Sequence, residues 1–145
     1  MVKEKNPKTC VAVIILDGDK VLIGKRKNIR GDGLYAFPGG GLDFREKYQN
    51  CALREIKEEC GNNLEVELID DNFPFATVPN EMIENGHVVV LFVRAKYLRG
   101  KPQNMEPEKC HDWEWRSWYR LPQPLFSGIQ YLVDTKRNPI TEKKL

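Results

Sequence analysis

Glu55, Glu58 and Glu59 stand at i, i+3 and i+4 of a stretch that carries the local marks of a helix, so their carboxylates project from a single face. Three like charges so placed repel one another, and Arg54 and Lys57 beside them relieve only part of that repulsion. A bound divalent cation accounts for the cluster. Hard ions such as Mg²⁺ take carboxylate oxygens and share their sites with substrate phosphates, and Mn²⁺ is the alternative ion. The competing reading is an acidic face in water, and for three glutamates alone that is the commoner outcome.

Such carboxylates need a rigid carrier. Residues 47–60 contain no Gly or Pro and are rich in Glu, Lys, Arg, Leu and Ala, and Gly61 stands where a helix is expected to end. Ala52, Leu53, Ile56 and Cys60 fall on one side at helical spacing, a face expected to pack onto a sheet. Residues 9–16 are apolar and β-branched. Asp17-Gly18-Asp19 and then Val21-Leu22-Ile23-Gly24 complete a hairpin pattern. Residues 64–69, 87–97 and Trp113-Glu114-Trp115 read as further strands, with a Pro/Asn-rich connection (Pro74, Pro79, Asn80, Asn85-Gly86) between the first two. Residues 125–136 read as a second, amphipathic helix. Strands interleaved with two helices give an α+β fold, an α/β/α sandwich in which a mixed sheet packs between helices. The basic stretch 25–34 reads as a loop whose charges lie against phosphate or in water, and water is the commoner outcome. Gly39, Gly40 and Gly41 lack the Cβ that would bar positive φ or a close approach of backbone to ligand, although a plain tight turn explains them equally well.

Taken together, Gly40, five residues, Glu46, seven residues and then Arg54-Glu55-Ile56-Lys57-Glu58-Glu59-Cys60-Gly61 spell G-x5-E-x7-R-E-U-x-E-E-x-G, with U a bulky aliphatic. At average residue usage the chance of meeting this pattern anywhere in the chain is below about 10⁻⁵. It resembles the box of the Nudix hydrolases. The resemblance implies the Nudix fold, in which a loop-helix-loop holds the metal. Outside the box, Tyr35-Ala36-Phe37-Pro38-Gly39-Gly40-Gly41-Leu42-Asp43-Phe44, Asn104-Met105-Glu106-Pro107-Glu108-Lys109-Cys110, Trp113-Glu114-Trp115 and Leu121-Pro122-Gln123-Pro124-Leu125-Phe126 are similar to the plant Nudix hydrolase 1 and human MutT-homologue 2 group. That group acts largely on nucleoside triphosphates, oxidised ones included, and some members act on other diphosphates. Three positions depart from the family pattern. Asn62 replaces the aliphatic residue after the glycine, Arg45 precedes Glu46 where relatives carry Gly, and Ser127 stands where a second aromatic often follows Phe126.

The chemistry expected is attack of water on a phosphorus of a diphosphate linkage, with metal neutralising charge on the phosphate oxygens and leaving group. The metal ligands are Glu55, Glu58 and Glu59. Glu55 is the first choice for orienting or deprotonating the water, and the resemblance offers Glu108 as the alternative. Arg54 belongs to the catalytic pattern, but its planar guanidinium suits a bidentate pair with a carboxylate such as Glu46 better than contact with substrate. Glu46 and Gly61 are then architectural. Gly39, Gly40 and Phe126 are the candidates for substrate contact. Phe126 at a helix start is core more often than it is a stacking platform.

At 145 residues, one domain spanning 1–145 is expected. No apolar run approaches the length of a membrane span, and the polar first residues carry no export signal, so a cytoplasmic protein with no membrane partner is expected. Cys10, Cys51, Cys60 and Cys110 show neither C-x-x-C nor zinc spacing and read as reduced thiols. A net charge of +2 gives no basis for a nucleic-acid surface. The expected partner is a nucleotide-like small molecule, cleaved from triphosphate to monophosphate and pyrophosphate. The rivals are another diphosphate metabolite, such as a nucleotide sugar or ADP-ribose, and a Nudix domain that binds a nucleotide without catalysis. A homodimer is favoured over a monomer on resemblance alone.

Overall fold

The computed structural model describes residues 5–83 and 85–145. In chain order its elements are β1 (Lys8–Asp17), β2 (Lys20–Lys25), β3 (Tyr35–Ala36), β4 (Gly39–Gly41), α1 (Tyr48–Cys60), β5 (Glu65–Leu68), β6 (Ala76–Ile83), β7 (Gly86–Arg99), β8 (Glu114–Ser117) and α2 (Ser127–Asp134), with a 3₁₀ turn at Trp118–Arg120. β1 and β7 run parallel down the middle, paired from Lys8↔Val88 to Leu16↔Lys96. Side chains alternate across β1. Val11, Val13 and Ile15 pack with Cys51, Ala52, Ile56 and Cys60 of α1, whereas Ile14 packs on the opposite face with Ile129 and Leu132 of α2. A strand covered on both faces must be apolar at nearly every position, which is why residues 9–16 read as a continuous run. The result is the expected α/β/α sandwich with a mixed sheet.

The outer edge of β1 is shared. β2 pairs with it only at Leu16↔Val21 and Asp17↔Lys20 and then turns to β8 and β3. Residues 35–41 fill the gap: Val13 N–H donates to the Pro38 carbonyl at 2.8 Å, and Gly39, Gly40 and Gly41 pair with Ala12, Val11 and Cys10. The three glycines are therefore a strand and not a turn, and neither Gly39 nor Gly40 has positive φ.

The Pro/Asn-rich stretch expected to be a connection holds β6, antiparallel to β7. Pro79 and Asn80 sit in the register shift between Val78 and Glu81, an irregularity that accommodates a residue with no N–H to offer a ladder. Asn85, at φ 61°, turns the chain into β7. On α1 the buried residues are Cys51, Ala52, Glu55, Ile56 and Cys60. Leu53, expected on the packing face, is exposed. The helix is rotated so that a carboxylate, and not Leu53, takes the edge of the buried stripe.

A buried ion pair fastens the sheet to the C-terminal segment. Arg94 Nη2 and Nε donate to the two Asp70 oxygens at 2.8 and 2.9 Å, and the Arg94 amide also donates to Asp70 at 2.8 Å. Arg94 Nη1 reaches the Pro139 and Glu142 carbonyls. The Phe75 ring lies 4.6 Å from the guanidinium of Arg94 and 4.5 Å from that of Arg137. Among the described residues no helix is long and apolar enough to cross a membrane.

Candidate active site

α1 brings Glu55, Glu58 and Glu59 to one cavity of about 440 Å³. Each is held differently. Glu55 is 8% exposed and accepts from Arg54 Nη1 at 2.8 Å. Its carboxylate lies where a side chain at position 40 would have to be: a Cβ on Gly40 would sit 2.5 Å from its Cδ and Oε1. Glu59 accepts the Gly39 amide at 2.8 Å, and a Cβ on Gly39 would strike the Val11 carbonyl of β1. Both glycines are thus required by close approach to the protein itself: Gly39 by β1, Gly40 by Glu55. Glu58 is exposed at the cavity mouth and accepts from Arg54 Nη1 at 3.3 Å.

Arg54 is the hub. Nε and Nη2 donate to the two oxygens of Glu46 at 2.8 and 2.9 Å, and Nη2 donates to the Gly41 carbonyl at 3.0 Å. Glu46 in turn accepts the Asp43 amide at 3.1 Å. The Arg54 pair and that amide hold the Glu46 carboxyl down at about 2. At the other end of α1, Gly61 at φ 85° closes the helix through its amide to the Lys57 carbonyl at 3.1 Å, and a Cβ there would meet the Gln103 carboxamide. The last carbonyls of α1 are taken by the loop before β8: Gln103 N–H donates to Cys60, and Met105 N–H and Trp113 Nε1 donate to Glu59. Helix ends need such partners, and here they bind a loop to the site.

That loop supplies a carboxylate the sequence reading missed. Glu106 lines the cavity and lies near enough to Glu55 and Glu59 to push both upward. Glu108 is exposed and does not line it; its carbonyl accepts from Asn28 Nδ2. Lys109 and Cys110 amides both donate to the Glu106 carbonyl, so residues 106–110 form a helical turn, in which positions two apart project to nearly opposite sides. The available signal was Pro107, a residue suited to the first position of such a turn, which makes Glu106 its cap.

Burial raises Glu55, with Arg54 opposing, and raises Glu59 to about 8, with the Gly39 amide opposing. Among the described residues no three His, Cys, Asp or Glu side chains already converge on one point. The donor set nonetheless fits a hard divalent cation: Glu55, Glu58, Glu59 and Glu106 offer carboxylate oxygen alone, and Arg54 neutralises only part of their charge.

The basic loop contributes Arg26 and Arg30 to the cavity, two further residues not singled out from sequence. Arg26 donates through Nε to the Arg30 carbonyl at 2.7 Å, and burial and Arg30 hold it below its ordinary range. Their guanidinium carbons lie 4.8 and 5.1 Å from the centre of the Phe126 ring. Phe126 is half-buried, touching the α2-side core while also lining the cavity.

The NUDIX domain model matches residues 6–135. An RNA pyrophosphohydrolase of Campylobacter jejuni is 34% identical over 110 residues, covering 67% of this chain and 69% of the relative. An ADP-ribose pyrophosphatase of Methanocaldococcus jannaschii is 41% identical over 56 residues, covering 39% of this chain and 33% of that one. The crystal structure of a MutT NUDIX hydrolase from Burkholderia pseudomallei superposes with a TM-score of 0.75 at 26% identity, covering 90% of this chain and 98% of that one. These likenesses support the family, and not specifically the plant Nudix hydrolase 1 and human MutT-homologue 2 group.

Proposed function

The chain belongs to the NUDIX domain family, and we propose that it is a Mg²⁺-dependent pyrophosphohydrolase that cleaves nucleoside triphosphates to monophosphate and pyrophosphate. The observation that carries this reading is the cavity itself. Glu55, Glu58, Glu59 and Glu106 meet there with Arg26 and Arg30, a combination suited to a polyphosphate: carboxylates for cations, guanidinium groups for phosphate oxygens. Glu55, Glu58 and Glu59 hold the metal, which when bound neutralises charge on the phosphate oxygens.

The remaining work belongs to side chains. Glu55, fixed between Arg54 and Gly40, orients and deprotonates the attacking water, and Glu106 takes the alternative role that the sequence had offered to Glu108. Arg54 holds Glu46, Glu55 and Glu58 in register and does not touch substrate. Arg26 and Arg30 draw the polyphosphate into the cavity, and Phe126 walls it.

A second reading is favoured by the name of the Campylobacter relative: the substrate is RNA, whose phosphoanhydride bonds lie only at a 5′-polyphosphate end. One experiment separates the two. Free nucleoside triphosphates and a 5′-triphosphate oligoribonucleotide are incubated with and without Mg²⁺, and products are resolved by anion-exchange chromatography. Monophosphate plus pyrophosphate from free nucleotides, abolished reversibly by EDTA, is expected. Efficient turnover of the oligonucleotide alone would move the assignment to RNA, and diphosphate plus orthophosphate would overturn the bond assignment.

A further inference from the structure

Ala12, Phe37, Val88, Val90, Phe92 and Ile129 give the cavity an apolar lining, and such side chains offer a carboxylate no hydrogen bond. Each of the four carboxylates must therefore be held from elsewhere. Glu55 is held by Arg54 and Gly40, Glu58 by Arg54, and Glu59 by the Gly39 amide. Glu106 is the exception. Among the described residues its carboxylate has only Lys109 beside it, at 3.6 Å, with the two side chains 36% and 51% exposed, and a pair so exposed fixes little. The place of the Glu106 carboxylate is set by its backbone.

That backbone is one short turn between two anchors. On the near side the Met105 amide donates to the Glu59 carbonyl. On the far side the Lys27 amide donates to the Lys109 carbonyl, the His111 amide to the Lys25 carbonyl, and Cys110 is bridged to Arg26. A single helical turn makes few bonds for the residues it orders. The Asn104 side chain adds two more. Its Oδ1 accepts the Glu106 amide at 3.2 Å, and its Nδ2 donates to the Cys110 carbonyl at 2.8 Å. One planar carboxamide thus grips the first amide and the last carbonyl of the turn. A carboxamide has two N–H groups and two lone pairs on its oxygen, so one of each is left over.

Resting on the reading above that Glu106 takes part in activating water, we propose that Asn104 is a positioning residue: by spanning the turn it sets where the Glu106 carboxylate stands relative to Glu55 and Glu59. It acts on the reaction through Glu106 and not by touching substrate. Partners that orient a metal-site ligand from behind are worth about 10- to 100-fold in affinity or activity. Alanine at this position removes both bonds. Serine keeps an acceptor for the amide two residues on but is too short to span to Cys110.

The test has two arms on the whole protein, each run on wild type, Asn104→Ala, Asn104→Ser, Glu106→Gln and the Asn104→Ala/Glu106→Gln double variant, with thermal melting to check folding. The first arm measures kcat and KM for a nucleoside triphosphate at saturating Mg²⁺. Asn104→Ala is expected to lower kcat by about 10- to 100-fold with KM within about threefold of wild type. Asn104→Ser should fall between the two, and it carries the same comparison if the alanine variant does not fold. In the Glu106→Gln background the further loss from Asn104→Ala should be less than about threefold. With Glu106→Gln itself impaired, a wild-type kcat in Asn104→Ala, or an equal loss in both backgrounds, would overturn the proposal. So would a rise in KM that persists in the Glu106→Gln background, because the spare N–H and lone pair would then act on substrate directly. The second arm titrates Mn²⁺ alone by electron paramagnetic resonance. Glu106→Gln should weaken binding of the ion, Asn104→Ala should weaken it by a smaller factor, and the double variant should bind no more weakly than Glu106→Gln. This pattern supports the proposal even where no triphosphate is turned over or Glu106→Gln keeps the wild-type rate, outcomes that would remove only the catalytic reading. Equal Mn²⁺ affinity in wild type and Asn104→Ala overturns it.

Discussion

Replacing Gly40 with alanine asks whether the position of Glu55 sets the rate. The new methyl carbon would sit 2.5 Å from Glu55 Cδ and Oε1 and 2.6 Å from Oε2, against about 3.5 Å for an ordinary contact. The strand cannot yield: Gly40 is paired with Val11, and Gly39 is already pressed on the Val11 carbonyl. Glu55 must therefore withdraw by about 1 Å from the place where Arg54 now holds it through a 2.8 Å bond. Because the atoms struck are the far end of a flexible side chain, the stability cost is expected near the lower end of the about 1–3 kcal/mol of overpacking, roughly 3–4 °C in Tm for a domain of this size. A 1 Å misplacement of a catalytic group costs about 10²-fold in rate, or roughly 2.7 kcal/mol of barrier. The assay is kcat/KM on a nucleoside triphosphate at saturating Mg²⁺, with thermal melting, for wild type, Gly40→Ala, Glu55→Gln and the double variant. If Gly40 acts through Glu55, the two rate losses do not add. A Gly40→Ala enzyme within about threefold of wild type, or fully additive losses, would refute the reasoning.

Three other outcomes are expected. Glu106→Gln should lower kcat by about 10²-fold or more while Glu108→Gln stays near wild type; steady-state kinetics of both variants checks this. Arg94→Met leaves the Asp70 carboxylate buried without its cation and should cost about 3–5 kcal/mol in urea unfolding. Glu46, held near 2 against an ordinary 4.5, contributes stability that is complete above about pH 4.5 and is lost as pH falls toward 2. The melting-temperature gap between wild type and Glu46→Gln should therefore be full near neutrality and close over that window.

What was legible in the sequence is what local physics dictates. Residues 48–60 form a helix because nothing in them opposes one, and β1 was visible because burial on both faces demands an unbroken apolar run. The departures arise where tertiary context overrides a local sign. Pro79 and Asn80 signalled a connection, but a bulge in β6 absorbs them. Three glycines were open to a turn or to a close approach of ligand, yet their missing side chains serve a strand pressed between β1 and Glu55. Leu53 was assigned to the core because it is apolar, whereas the helix is rotated to bury Glu55 in its place. At Glu106-Pro107-Glu108 the composition offers two carboxylates, and only the turn decides which one faces the cavity. The apolar lining could not be read at all. It is assembled from β1, β7 and α2, whose pairing is specified by no local pattern.

The parallel pairing of β1 with β7 also sets an order of events during synthesis. Lys8 finds its partner at Val88 and Leu16 at Lys96, so the middle of the sheet is among the most non-local contacts in the chain, and such contacts form slowly. α1 is complete well before them, but a 13-residue helix standing alone is marginal in water, and the sheet face it covers includes Val93 and Ala95 of β7. About 40 residues separate Cys60 from the end of β7 at Arg99, roughly 2–8 s of translation. For that interval a nascent chain carries the acidic segment with only the β1 and β2 part of its floor in place. The carboxylates that define the chemistry are among the earlier parts of the site to be made, and they take their working positions only after β7 has joined the sheet.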